Sequence, residues 1–313
     1  MTDEDLWDEA PAPTLYGLNE GWGRYNFPPP PGTALAKGQR GYMRMTNLAS
    51  AFSDQKRLQD WLIWKTMMGL RAHDGLLVDE WLAANVDSMA DEDQRATALA
   101  HAELARETAG AGAGARRGTA RHLMMDTYLT TGARVGTRGM RMQLDSALEA
   151  LDRADLDIIR TEYRVWHPLA GGVVGTSDAK VLCRRTGQVG TLDWKTQRTF
   201  WTFQEIAGQL YGYDSAPWRW EGPLDTTGGW VPNEVGTLMG HPGGEYAGRP
   251  VALVAHMPHT PGPDQPLLPV EILEVPLDYG KAVLETAARN VELRSLGKSQ
   301  AVGRRCGALR PVG

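Results

Sequence analysis

Cysteine is nearly missing from this chain: Cys183 and Cys306 are the two in 313 residues. So far apart, they give no disulfide framework, and a reducing cytoplasm is the expected setting. Two thiols also fall short of the four that hold an iron–sulfur cluster. No apolar run approaches the length of a membrane-spanning helix. The opening M-T-D-E-D-L-W-D-E-A is acidic where a secretory signal is basic and then apolar, so neither membrane nor export is expected. Positive charge is not in excess either, with a formal net charge of −5. That balance argues against a nucleic-acid partner only if the charges are evenly spread. They are not. Arg116, Arg117, Arg121, Arg134, Arg138 and Arg141 crowd one region, while acids gather at the N-terminus and over 79–107.

Residues 1–42 carry A-P-A-P and N-F-P-P-P-P-G without periodicity and read as a flexible, Pro-rich arm. A helical region is expected over 43–115. One helix follows Ser53, with Leu58, Trp61, Leu62, Ile63 and Met67 near helical spacing, and a second covers about 77–107. The region ends in A-G-A-G-A-G-A, 109–115, a flexible joint. A new helix opens at Gly118-Thr119 and another runs near 140–153. The period then changes to two. I-I-R-T-E-Y-R-V-W, V-V-G-T-S-D-A-K-V-L-C and Val189 to Trp194 read as strands, the last two joined by the R-R-T-G-Q hairpin. Helical texture returns over 199–213, a Trp/Gly/Pro-rich loop spans about 215–248, strands lie near 250–256 and 269–275, and a last helix covers 278–296. The fold class is α/β, a mixed central sheet flanked by helices. The core is placed at 116–297 and a C-terminal tail at 298–313.

The stretch T-L-D-W-K-T puts Asp193 and Lys195 one residue apart at the end of a strand, on one face. The hairpin sets the Asp178 strand beside them. Carboxylates on neighbouring strands make a hard-oxygen site suited to Mg²⁺ or Mn²⁺, one ion or two. Such an ion polarises a phosphoryl oxygen and lowers the pKa of a bound water, and a lysine beside it steadies that water or the charge on the phosphate. D-x-K alone is weak, since chance supplies it roughly once in a chain of this size.

The order of motifs is more specific. Gly118-Thr119-Ala120-Arg121-His122 opens a helix. Gly175-Thr176-Ser177-Asp178 lies in one strand and Leu192-Asp193-Trp194-Lys195-Thr196 in the next. Gln209-Leu210-Tyr211-Gly212-Tyr213 lies on the following helix. Together they resemble the PD-(D/E)XK nuclease superfamily and its RecB-like exonuclease branch, in the phage form without an iron–sulfur cluster. M-R-M-T-N-L-A-S-A-F, from Met43, is similar to the entry segment of phage members, and the resemblance spans about 43–297.

The resemblance implies a restriction-endonuclease-like core with Asp178, Asp193, His122 and the backbone carbonyl of Trp194 around the metal. It gives Lys195 to the attacking water, and Gln209 with Tyr213 to orienting the DNA end or the lysine. Glu162 in the preceding strand matches an acid of outer-sphere standing. Arg116, Arg117 and Arg121 become a track for the DNA backbone. The implied activity is metal-dependent exonucleolytic hydrolysis of DNA in recombination, replication or repair, and the implied setting is a bacterial or phage-infected host cytoplasm. A separate helicase or single-strand annealing protein would be the partner, since Gly297-Lys298-Ser299 has Glu292 where a phosphate-binding loop starts with glycine. Endonucleolytic cutting on the same fold, or a catalytically silent DNA-binding module, remain the alternatives.

Overall fold

In the computed structural model the described residues are 17–19, 24–35, 39, 41–52, 56–72, 91–197, 202–224, 227–234, 236–258 and 268–303. They form one eleven-stranded mixed sheet with helices on both faces. The middle strands are β4 (Leu156–His167), β5 (Val173–Cys183) and β6 (Val189–Lys195), all antiparallel neighbours. Gly187, at φ 69°, supplies the left-handed residue that the β5–β6 turn requires. Beyond β6 lies β10 (Pro250–His256), parallel to it, and then β11 (Glu271–Pro276), antiparallel to β10. The parallel pair is made by a crossover through a helix, as parallel strands demand.

One face is covered by two helices, α4 (Ala113–Thr131) and α5 (Arg138–Arg153). The second starts because Thr137 caps it, accepting the Met140 N–H, and its Leu144, Ala147 and Leu151 fall on one stripe. That stripe packs with Met124 and Met125 on Ala179, Val181, Leu192 and Trp194. The other face carries α1 (Met45–Ser50), α6 (Phe203–Asp214) and α7 (Leu277–Gly303). There Met45, Leu48, Tyr213 and Leu284 pack on Tyr163, Val165 and Val173. Each fully buried Leu of these clusters is worth about 1.5–3 kcal/mol of transfer free energy.

Several expectations need correction. The Pro-rich N-terminal segment is not wholly an arm. β1 (Gly17–Asn19) pairs with β2 (Arg24–Asn26), β2 with β3 (Tyr42–Arg44), and β3 runs parallel to the start of β5. Phe27 sits 5.0 Å from Trp220 and 5.3 Å from Trp230, centroid to centroid, so aromatic burial ties this segment down where periodicity gave no signal. Those tryptophans come from the presumed loop, which holds a hairpin of β7 (Trp218–Glu221) and β8 (Gly229–Pro232), then β9 (Leu238–Met239).

The A-G-A-G-A-G-A joint is a turn only through Gly112, and α4 begins inside it at Ala113, a full turn before Gly118. Before it come α2 (Lys56–Ala72) and α3 (Glu92–Thr108), capped by Asp91; residues 73–90, where the second helical reading began, lie outside the described residues. A Cβ on Gly69 would meet the Ala105 carbonyl, so only glycine lets these two helices cross so closely. Ile63 and Met67, read at helical spacing, are 62 and 61 % exposed because Gly69 fixes the opposite face as the contact. No helix of the described residues is long and apolar enough to cross a membrane.

Candidate metal centre

β5 is flanked on one edge by two strands in tandem. β3 pairs with it only at Val173 and Val174, and β6 only from Ala179 to Leu182. Gly175–Asp178 sit in the fork between them. On the other edge β4 runs alongside throughout, in a register that puts Glu162 level with Asp178, between Thr161↔Ala179 and Tyr163↔Ser177.

Strict alternation breaks at this level. Before it, β5 presents Gly175 to the Tyr213 ring and Ser177 to Tyr163 on the α6 face. After it, Ala179, Val181 and Cys183 pack on the α4–α5 face. β4 switches in the same place. Thr161 reaches Asp126 of α4, whereas Tyr163 joins the α6 side. The backbone reason is Glu162, at φ 44°, a left-handed conformation that a residue with a Cβ adopts at a cost of about 1–2 kcal/mol.

The switch brings three ligating side chains together. One atom each of His122, Glu162 and Asp178 lies within 4.8 Å of the others. His122 comes from α4, which can lie near the end of β6 because residue 118 is glycine: a Cβ there would be 3.1 Å from Thr196 Oγ1. His122 Nδ1 is 3.4 Å from Asp178 Oδ2, and the same oxygen accepts the Trp194 N–H at 2.7 Å. Asp193 is buried and pairs with Lys195 beside this trio.

Charges follow from burial and neighbours. Burial and the Asp178 charge push the Glu162 carboxyl up to about 7. Burial and Asp178 also raise Asp193, against the pull of Lys195. Asp178 goes the other way: burial opposes its ionisation, but the His122 contact, Lys195 and the Trp194 N–H hold it below the usual range. Burial lowers His122, yet the Asp178 hydrogen bond and charge outweigh it and the imidazole ends above its ordinary value. For Lys195 burial is likewise outweighed, by Asp193 and Asp178, so the ammonium is kept. Protons are thus held close to a cluster that a divalent cation would strip of them.

Among the residues expected at the site, His122, Asp178, Asp193 and Lys195 are together, and Trp194 takes part through its N–H. Gln209 donates to the Tyr213 hydroxyl at 2.6 Å, one turn apart on α6. Two placements differ from expectation. Arg121 is buried, not on a surface track; its Nε donates to Gln143 Oε1 at 2.6 Å. Arg116 and Arg117 are exposed on the first turns of α4, Arg116 in an ion pair with Glu107 at 2.9 Å. Glu162, assigned to the outer sphere, stands in the converging trio. Its sequence gives only an acid in an alternating strand, and alternation alone cannot show a left-handed residue. His256, in the H-M-P-H stretch, has Nε2 2.8 Å from the Gln197 carbonyl and so secures the chain after β6; His259 lies outside the described residues.

Glu162→Gly is expected to relieve the left-handed strain, gaining about 1 kcal/mol at most, while weakening Mn²⁺ binding roughly 10–100-fold. Calorimetric titration beside a melting curve checks both; unchanged affinity would remove Glu162 from the metal set. No protein-family model matches the chain, and no curated protein matches it in sequence.

Proposed function

We propose that this protein is a divalent-metal-dependent deoxyribonuclease with a restriction-endonuclease-like core, of the RecB-like PD-(D/E)XK kind, degrading DNA from its ends. The observation that carries the reading is the convergence of His122, Glu162 and Asp178 beside the Asp193–Lys195 pair. Two carboxylates with one imidazole suit Mn²⁺, which takes both oxygen and nitrogen donors, as well as the harder Mg²⁺.

The ion would be held by Asp178, His122 and Glu162, the three that converge. Once bound, it would supply Lewis acidity toward a phosphoryl oxygen and an ionisable water. Lys195, kept as an ammonium, is a donor and not a base: it steadies the water or the charge that grows on the phosphate. Asp193 fixes the lysine. Gln209 and Tyr213 lie on the helix over the same strand and orient the lysine or the DNA end. Arg116 and Arg117, on the helix that carries His122, offer charge to a phosphate backbone. Hydrolysis proceeds by in-line attack of water without a covalent intermediate.

End-labelled linear DNA and covalently closed circular DNA, each with protein and Mg²⁺ or Mn²⁺, test this directly. Loss of the linear form alone is the expected result, and the label released first gives the polarity. A nicked or linearised circle would replace end-directed cutting with internal cutting. If neither DNA is cut with either ion, the nuclease reading is wrong.

A further inference from the structure

On the α6 face of the sheet lies a second polar group, one that no motif predicts. Lys180 of β5, Asp214 at the end of α6, Thr191 of β6 and Ser177 of β5 are all buried, with Tyr163 of β4 among them. Thr191 Oγ1 donates to Asp214 Oδ1 at 3.0 Å, and the Tyr163 hydroxyl is 3.5 Å from Thr191 Oγ1. Lys180 Nζ lies 3.9 Å from Asp214 Oδ1 and has no hydrogen-bond partner among the described residues; the residue is 2 % exposed. A buried ion pair of such loose geometry is poor value for stability, because desolvation offsets most of its attraction. Its use is better sought in what it holds.

What it holds is the candidate catalytic strand. Thr191 precedes Asp193 by two residues, on the same face, and Lys195 follows two further on. Asp214 is the residue after Tyr213, whose ring lies where a Cβ on Gly175 would come within 2.4 Å. The Asp214–Thr191 bond therefore sets the separation between the helix bearing Gln209 and Tyr213 and the strand bearing Asp193 and Lys195. Lys180 supplies the counter-charge that keeps Asp214 in place. The metal trio is built from α4 and the β4–β5 switch, and it meets β6 through the Trp194 N–H on Asp178, not through Thr191 or Asp214.

We infer that the buried Lys180–Asp214 pair, with Thr191, positions Lys195 against Gln209 and Tyr213, and so acts on turnover and not on ion binding. The inference rests on the nuclease reading. Misplacement of reacting groups by about 1 Å costs on the order of 10²-fold in rate.

Two variants separate positioning from mere structure. Asp214→Asn keeps an acceptor for Thr191 but strands the buried ammonium. It is expected to lower the melting temperature by several degrees and kcat by roughly 10–100-fold. The double replacement Lys180→Met with Asp214→Leu removes both charges and is expected to recover the melting temperature, as apolar substitutes for buried pairs do. In it kcat stays low while KM for DNA and the Mn²⁺ dissociation constant stay at wild-type values. Recovery of kcat along with stability would overturn the inference and leave the nuclease reading standing. So would loss of Mn²⁺ affinity in step with kcat. Absence of cleavage by the wild type would remove the nuclease reading and the inference with it.

Discussion

Asp178→Asn is expected to lower phosphodiester cleavage by about 10³-fold, the scale on which one electrostatic stabiliser of a transition state acts. Asn keeps an oxygen for the Trp194 N–H, so that 2.7 Å bond survives and the fold with it. What goes is the charge that both His122 and the metal require. Mn²⁺ affinity should therefore fall roughly 10–100-fold in the same variant. Asp178→Ala should do worse, because it also leaves the Trp194 N–H without its acceptor, an unmet buried group costing about 1–3 kcal/mol. Cleavage of linear DNA, calorimetric Mn²⁺ titration and melting curves on both variants check this. An Asn variant that cuts at the wild-type rate would place the chemistry elsewhere.

The second large effect joins pH to metal. Glu162, raised from 4.5 to about 7 chiefly by burial, and Asp214, raised from 3.8 to about 6 by the same cause, hold protons that the unfolded chain has already released. A raised folded pKa gives stability that is complete below the unfolded value and disappears as pH climbs through the folded one. Without metal, melting temperature is expected to decline between about pH 5 and pH 8. A third group opposes part of that decline, inside the same window. His167, lowered to about 4 by burial, is neutral when folded, so its contribution is present above 6.5 and is lost as pH falls through 4.

A divalent cation changes the picture only at the trio, where Glu162 and Asp178 must be ionised and His122 neutral before they can ligate. Mn²⁺ at a hundred times its pH 8 dissociation constant should add about 2.7 kcal/mol there, and the same concentration should add less at pH 6. Melting curves at both pH values, with Mn²⁺ and with chelator, check it. An equal or larger gain at pH 6 would show that the ion binds without displacing protons, and so not at these three residues.

The strands of the core were legible because alternation and a Gly-containing hairpin turn are local signals. β5 runs over Val173–Cys183, the very segment that the period-two pattern marks. The α5 stripe was local too. What escaped was decided by distant partners. Nothing near Phe27 announces Trp220 and Trp230, about two hundred residues away, yet their rings turn a proline-rich segment into an edge of the sheet. Arg121 looks like its exposed neighbours until Gln143 of the next helix claims its Nε. Ile63 and Met67 keep helical spacing but face outward, since the contact was fixed by Gly69. At the site, the hairpin pointed to Asp178, Asp193 and Lys195, and the family resemblance added His122. The place of Glu162 depends on one dihedral angle that a glutamate does not advertise.

The fork at β5 has a consequence for descent. At its tip the side chain of Asp178 stands in for a strand, accepting the Trp194 N–H that a main-chain carbonyl would otherwise take. A descendant that gave up chemistry but kept the architecture would have to change Lys195 together with Asp193, because removing the ammonium alone strands a buried carboxylate. It would not be free to place an apolar residue at 178. The expected relic is Asn there, a polar acceptor retained after the charge has lost its use.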